Sequence, residues 1–314
     1  MNHLGPAFRR IRKAKNITLK EATEGIISLP FASKWERGLY RITAAKLVGL
    51  LERLATTFDE LMLVHRQHDF SFDNQRFFEK VNKYVNARDI SSLYGLIKKE
   101  ELKTNVINPH MKKQRIIILK QHINQMTGIN FDKREIGLIT GYLEKVGSWG
   151  IYELSLYANS IFMLSTETVT KLSLLAHKNG LSYQELPKVS EEICNVASKT
   201  VVHFLKRDLL EEAITTINIT QKFLEDKKLF YEKNRFSFLE GIYLFKAGKQ
   251  KTGLKKTANA IYYLCEMEMP EQATSYKNTL VKTLNDLFSE EQVSKIVKEL
   301  EAYLEALRNL TAAS

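Results

Sequence analysis

The segment Ser28-Leu29-Pro30-Phe31-Ala32-Ser33-Lys34-Trp35-Glu36-Arg37 holds side chains suited to reading a polyanion. A lysine such as Lys34 can hydrogen-bond a guanine edge, and an aromatic such as Phe31 can touch a thymine methyl. Ser28, Leu29, Ser33 and Arg37 share the outward positions with them. Arg9, Arg10, Lys13, Lys15, Lys20 and Arg41 are cations of the kind that neutralise phosphates, which positions a protein on a duplex without specifying sequence. Thr18 stands at a helix start, where it serves as a cap and also faces a nucleic-acid backbone. Residues 1–66 carry 12 Lys/Arg against 6 Asp/Glu, so +6 of the formal +11 sits here and the other 248 residues carry only +5. Such a concentration is the electrostatic footprint of phosphate contact. Arg12 and Glu36 suit a buried structural pair better than a contact, and Trp35 suits a core position.

These side chains need rigid elements to present them. Phe8, Ile11 and Arg12 lie on a first helix, and Thr18 with Glu21 forms a T-x-x-E capping box that starts a second at Leu19. Gly25 closes that helix. Ser28 caps a third, from Leu29 to about Arg37; Pro30 falls in its first turn, where a missing N–H costs nothing. Gly38 stops it. Leu47, Leu50, Leu51 and Leu54 make the stripe of a fourth helix, and Thr57 with Glu60 boxes the start of a fifth. Two short helices with a tight turn, followed by S-K-W-E-R-G, resemble the lambda-repressor type of helix-turn-helix, whose third helix lies in the major groove. The alternative is a similar helical bundle that binds no DNA.

The rest of the chain also reads as helix, with only 14 Gly and 5 Pro to punctuate all 314 residues. Phe77, Phe78, Val81, Tyr84 and Val85 share one helical face, as do Ile296, Val297, Leu300, Tyr303, Leu304, Leu307 and Leu310. Ser289 with Gln292 marks the start of the last helix, and Asp132 with Glu135 suggests another start. Helix pairs begin near Phe70, His110, Trp149, Pro187, Tyr231 and Glu271, and this spacing of roughly 40 residues suits hairpin repeats of the tetratricopeptide kind, without the strict consensus. Stacked hairpins form a right-handed superhelix whose concave face commonly holds peptides. The expected fold is therefore all-α. Residues 1–66 form a five-helix helix-turn-helix domain, 67–73 a linker, and 74–310 a superhelical array of tetratricopeptide-like hairpins.

The run L-G-P-A-F-R-R-I-R-K-A-K-N-I-T-L-K-E-A with S-K-W-E-R-G resembles the Rgg/GadR/MutR family of Gram-positive bacterial regulators. So do W-G-I-Y-E-L-S-L-Y-A-N-S-I-F-M-L from Trp149 and F-L-E-G-I-Y from Phe238. The segment Leu29-Pro30-Phe31-Ala32 departs from the family, which is usually more polar there and carries a larger aliphatic than Ala32. The resemblance implies a homodimer and a repeat domain that binds a short secreted and re-imported signalling peptide; a dimeric helix-turn-helix is in turn expected to read an inverted-repeat operator in double-stranded DNA. RNA polymerase is a further expected partner. An extended peptide leaves its backbone groups unpaired, and an Asn amide can satisfy a donor and an acceptor together. Asn159, Asn195 and Asn234 are the peptide-binding candidates on that ground, with Arg235 for a carboxylate. Residues of these types are more often surface or inter-helix hydrogen-bonding residues than ligand contacts, and the resemblance implies a concave site without selecting these four.

Other chemistry finds little footing. Gly248 and Gly253 are spaced as in a phosphate-binding loop, but Leu254-Lys255 follows and no strand precedes, so a turn between helices is expected. His65 and His68 lack the further ligands of a metal site, and Glu100-Glu101 reads as a solvated helix face. No nucleophile–base grouping has a recognisable local motif. No cofactor, no metal and no catalysis are expected. Cys194 and Cys265 are isolated, the start lacks a leader-like apolar run, and no long apolar segment occurs, which fits a cytoplasmic protein without membrane contact. Two other readings remain open: a non-catalytic repeat scaffold that binds a protein partner, and a ligand-independent repressor. The last helix, from Glu290 to Leu310, is readable as part of a dimer interface or as a repeat cap.

Overall fold

The computed structural model describes residues 4–65, 73–104 and 108–312, and among them there are 17 α-helices and no strand. The chain divides into two compact units, Met1–Lys80 and Val81–Ser314. Of the expected linker 67–73 only Asp73 lies among the described residues, and Phe70 and His68 lie outside them.

The first unit contains α1 (Gly5–Ala14), α2 (Leu19–Thr23), α3 (Leu29–Glu36), α4 (Ala44–Arg53) and α5 (Phe58–His65). The capping boxes form as the sequence dictates. The Thr18 N–H donates to Glu21 Oε2 at 2.7 Å and the Glu21 N–H donates to Thr18 Oγ1 at 3.2 Å; the Thr57–Glu60 box repeats this at 2.6 and 3.2 Å. Ser28 occupies the N-cap position of α3, but its hydroxyl makes no capping bond, contrary to expectation. Phe8, Trp35, Leu50, Leu54 and Leu61 are fully buried, with the Phe8 and Trp35 rings 4.9 Å apart. Beside them Arg12 donates through Nε to Glu36 Oε1 at 2.6 Å and through Nη2 to Oε2 at 2.9 Å, and its Nη1 donates to the Ile17 carbonyl at 2.7 Å. Both side chains are buried, so this pair is structural.

The remaining helices follow one another in six consecutive pairs, five of which pack as hairpins. They are α6 (Asp73–Asn86) with α7 (Ile90–Glu101), α8 (Pro109–Thr127) with α9 (Ile136–Lys145), and α10 (Ile151–Ala158) with α11 (Thr166–Gly180). Then follow α12 (Pro187–Leu205) with α13 (Leu210–Leu224), α14 (Phe230–Lys246) with α15 (Gln250–Glu266), and α16 (Pro270–Leu287) with α17 (Glu290–Ala312). Each of α12 and α14 packs on its own partner, on the helix before it and on the first helix of the next hairpin, which is how a solenoid buries its core. The buried stripe of α17, Val293, Ile296, Leu300 and Leu304, lies in this stack, where α17 packs on α15 and α16.

Four of the connections between successive helices, three within pairs and one between α15 and α16, repeat one closure. A single left-handed residue ends the first helix, and the N–H after it reaches back five residues: Asp89 to the Tyr84 carbonyl at 2.9 Å, Leu209 to Phe204 at 3.1 Å, Lys249 to Leu244 at 2.8 Å, Met269 to Leu264 at 2.9 Å. The left-handed residues are Arg88, Asp208, Gly248 and Glu268, with φ of 52°, 57°, 77° and 54°. This is the Schellman arrangement, and only one of the four positions carries the glycine that would advertise it. Gly253 is not in a turn at all. It lies inside α15 against Gly241 of α14, where an added Cβ would stand 2.9 Å from the Gly241 carbonyl oxygen. Two further expectations change. Asp132 accepts from the Arg134 N–H at 2.9 Å and begins a 3-10 turn, Lys133–Glu135, while Glu135 reaches Lys120 at 3.2 Å, so α9 starts without a box. Glu100 is buried rather than solvated, holding Lys103 at 2.6 Å and Arg115 at 3.7 Å.

Candidate DNA interface and concave cavity

Helices α2 and α3 are the two arms of the helix-turn-helix. On α3, Ser28, Leu29, Lys34 and Arg37 are exposed, and Ser33 is half-buried. Phe31 is not a free outward ring: it is half-buried on the domain core and packs on Tyr40 at 5.3 Å between centroids. Lys34 Nζ donates to the Tyr40 hydroxyl at 3.2 Å and lies 5.2 Å from that ring's centre, and Lys46 Nζ lies 6.0 Å from the Phe31 ring. Tyr40 and Lys46 therefore belong to the same surface, although no periodicity in Gly38-Leu39-Tyr40-Arg41 marked them. Arg37 Nε donates to the Ser33 carbonyl at 3.3 Å.

The surrounding cations separate into two groups. Lys13, Lys20 and Arg41 are exposed along the domain surface. Lys15 is held instead at the C-terminal end of α4, donating to the Leu54 and Ala55 carbonyls at 2.6 and 2.9 Å, a favourable place for a cation at the negative end of the helix dipole. Arg10 donates to the Val64 carbonyl at 2.7 Å, and Arg9 stands 3.9 Å from Glu36. Thr18 is occupied by its capping box, and its hydroxyl also donates to Glu21 Oε2 at 2.7 Å.

The second unit encloses a cavity of about 610 Å³, the size of a ligand pocket. Its wall comes from alternate helices: the end of α10 with the 3-10 turn Ile161–Met163, one face of α12, and single faces of α14 and α16, closed by His122 and Gln125 of α8 and Asn82 of α6. Asn159 and Arg235 line it. The Asn159 amide donates to the Ser155 carbonyl at 2.8 Å. Arg235 is ion-paired with Glu232, donates to Ser198 Oγ at 3.3 Å and covers the Tyr231 ring at 5.4 Å. The other two expected residues do not reach the cavity. Asn234 is buried between α14 and α15, donating to the Ala260 carbonyl at 2.9 Å, and Asn195 donates to Glu192 at 3.1 Å on its own helix. A 3.6-residue period turns neighbours in sequence to different faces, so Asn234 and Arg235 part company.

Residues outside those expectations build most of the wall. Ser198, Lys199, Val202, His203, Lys206 and Arg207 form two adjacent ridges of α12, a spacing legible from the sequence as one helical face. Phe162 stacks on His122 at 3.9 Å, and Phe238 stacks on Tyr276 at 4.1 Å. Burial holds the His122 and His203 imidazoles down at about 4, assisted by Lys199 for His122 and by Arg207 and Lys206 for His203. Both rings are thus neutral near pH 7.

The C-terminal-domain model of the helix-turn-helix transcriptional regulator Rgg matches residues 94–278, more than half of the chain, and a helix-turn-helix model matches residues 8–61. The chain belongs to the Rgg family of transcriptional regulators. Its fold also matches solved structures of the same architecture. A candidate transcriptional regulator of Listeria monocytogenes EGD-e aligns with a TM-score of 0.80 and 20% identity, over 91% of this chain and 99% of that one. The SHP pheromone receptor Rgg2 of Streptococcus dysgalactiae gives 0.71 and 21%, over 89% and 99%. PrgX in complex with cCF10 gives 0.68 and 16%, over 91% and 100%. As an Rgg-family chain, this is a DNA-binding helix-turn-helix regulator.

The Rgg-like block from Trp149 explains itself as framework. Trp149 is fully buried, packs edge-on to Tyr157 at 5.8 Å, and its backbone N–H donates to the Asn179 carbonyl at 3.2 Å. Glu153 accepts from the Gly150 N–H at 3.0 Å, starting α10, and from the Tyr142 hydroxyl at 2.6 Å. Tyr152 donates to Gln114 of α8. The block ties the α8–α9 and α10–α11 hairpins together and sets where Asn159 and Phe162 stand. Among the described residues no helix is long and apolar enough to cross a membrane.

Proposed function

We propose that this protein is a dimeric, peptide-responsive transcription regulator of a quorum-sensing circuit. Residues 1–66 act as the DNA-binding domain, 67–73 as linker, and 74–310 as the peptide-binding and dimerisation domain. Each helix-turn-helix takes one half-site of an inverted repeat, with α3 in the major groove. Lys34, Arg37, Ser28 and Leu29 face bases, Lys13 and Lys20 face phosphates, and Tyr40 and Lys46 extend that surface. The observation that carries the reading is the cavity enclosed by alternate helices of a repeat array in a chain that also carries a helix-turn-helix. The likeness to a solved pheromone receptor and to a receptor–peptide complex supports a short peptide as its occupant. Peptide binding shifts the dimer between states that differ in DNA affinity or in recruiting RNA polymerase, as differential affinity for two states requires.

Fluorescence anisotropy with the protein's own promoter DNA tests the first half. Lys34→Ala with Arg37→Ala should weaken binding at least tenfold at moderate salt, roughly the loss of one good base contact or more. Unchanged affinity would remove α3 from the interface. Calorimetry with short peptides from spent medium tests the second half, and a stable protein complex without peptide binding would instead favour a scaffold.

A further inference from the structure

The charge in the cavity wall is one-sided. Lys199, Lys206, Arg207 and Arg235 line it, and no Asp or Glu is among its described lining residues. Arg235 is neutralised by Glu232. The Lys199 ammonium is different: among the described residues it makes no hydrogen bond or ion pair, and only Glu192 of its own helix acts on it favourably from a distance while Arg235 opposes it. A half-buried cation without a partner is costly, and costs less once an anion arrives.

Two further wall groups are unsatisfied. Arg207 Nη1 lies 3.2 Å from His203 Nδ1. A guanidinium can only donate, so Nδ1 accepts and the neutral ring carries its proton on Nε2. That Nε2 is buried and has no partner, and neither has His122 Nδ1; His203 is only 5% and His122 only 9% exposed. Buried polar atoms of a native wall normally have partners, so orphans beside an open cavity point to a ligand that supplies them. Apolar surface alternates with these groups, from Ile161, Phe162, Val202, Phe238 and Leu239.

Resting on the peptide reading above, we infer that the occupant is a largely apolar peptide that presents a carboxylate, held by Lys199 with the His203 Nε2–H beside it and Lys206 and Arg207 about two turns along the same face. The carboxylate belongs to an acidic side chain or to the peptide's C-terminus; the chemistry of recognition is the same.

The test is affinity selection read by mass spectrometry on the full chain. The probes are pools of short synthetic peptides randomised over Leu, Ile, Val and Phe, with one position fixed as Asp, Asn or Lys, each made with a free and with an amidated C-terminus. Wild type should retain carboxylate-bearing members about tenfold or more over their neutral counterparts, the worth of a charge-assisted bond. Enrichment that follows Asp whatever the terminus marks the side chain, and enrichment that follows the free terminus marks the C-terminus; either outcome supports the inference. Lys199→Gln should abolish the preference while apolar peptides still bind, and Lys199→Arg should keep it. Retention of carboxylate-free or Lys-bearing peptides without preference overturns the carboxylate-bearing occupant and leaves the peptide reading standing. A uniform loss in Lys199→Gln with no change of preference assigns Lys199 a structural role and overturns the inference. Retention of no peptide by wild type overturns both readings.

Discussion

Arg12 and Lys34 stand on neighbouring helices of one small domain, and their surroundings give them opposite roles. Arg12 is forked onto Glu36 inside the core, whereas the exposed Lys34 reaches the exposed Tyr40. Glu36→Gln leaves a buried guanidinium without its counter-charge, so urea unfolding should show a loss of about 3–5 kcal/mol, whereas Lys34→Ala should stay within about 0.5 kcal/mol while weakening DNA binding. His122 and His203 make the corresponding case for pH. Their folded-state values, about 4, lie below the ordinary value near 6.5. The unfolded chain therefore takes up protons first as pH falls, and stability present above about pH 6.5 is lost progressively toward pH 4. Each ring should account for about 2 kcal/mol between pH 7 and pH 5. Urea unfolding of His122→Phe, which keeps a ring on Phe162, should show a shallower decline than wild type.

Helices here are set by local signals and then locked by contacts that those signals do not contain. Capping boxes at Thr18, Thr57 and Ser289 form where the sequence has them; at the last, Gln292 Oε1 accepts from the Ser289 N–H at 3.2 Å. The hairpin starts expected near His110, Pro187, Tyr231 and Glu271 fall at Pro109, Pro187, Phe230 and Pro270. The turns between them were less legible, because Arg88, Asp208 and Glu268 hold left-handed positions that glycine usually marks. Gly248→Ala should lower stability by roughly 1 kcal/mol and Glu268→Gly should not, since only the former adds a Cβ at positive φ. Gly253→Ala drives a methyl into the α14 backbone near Gly241 and should cost about 1–3 kcal/mol by overpacking. Thermal unfolding monitored by circular dichroism checks all three.

At the scale of the molecule, the proposed function joins a peptide sensor to a DNA reader, and any such coupling has a required symmetry. If the peptide changes affinity for promoter DNA by some factor, saturating promoter DNA must change affinity for the peptide by the same factor. Anisotropy for one and calorimetry for the other should return equal ratios; unequal ratios would mean that the two ligands do not share one equilibrium. Salt separates the contacts. Lys13→Ala should weaken all duplexes alike and flatten the salt dependence, whereas Lys34→Ala should relax discrimination at one base pair.

Local chemistry alone determined the all-helical character, the helix-turn-helix, the starts of most hairpins and the Arg12–Glu36 pair, because caps and 3.6-residue periods act over one or two turns. The Rgg-family motifs lay in the same stretches, since buried framework residues such as Trp149 and Glu153 sit in continuous blocks. Only the tertiary structure decided which faces meet. It turned Asn234 into an inter-helix clamp and moved Phe31 and Lys15 toward structural duty. It also brought His122, Phe162, Lys199, His203, Phe238 and Tyr276, from four helices and a turn, around one cavity. Those residues are distant in sequence, and their chemistry depends on burial and on one another's charge, quantities that exist only once the hairpins stack.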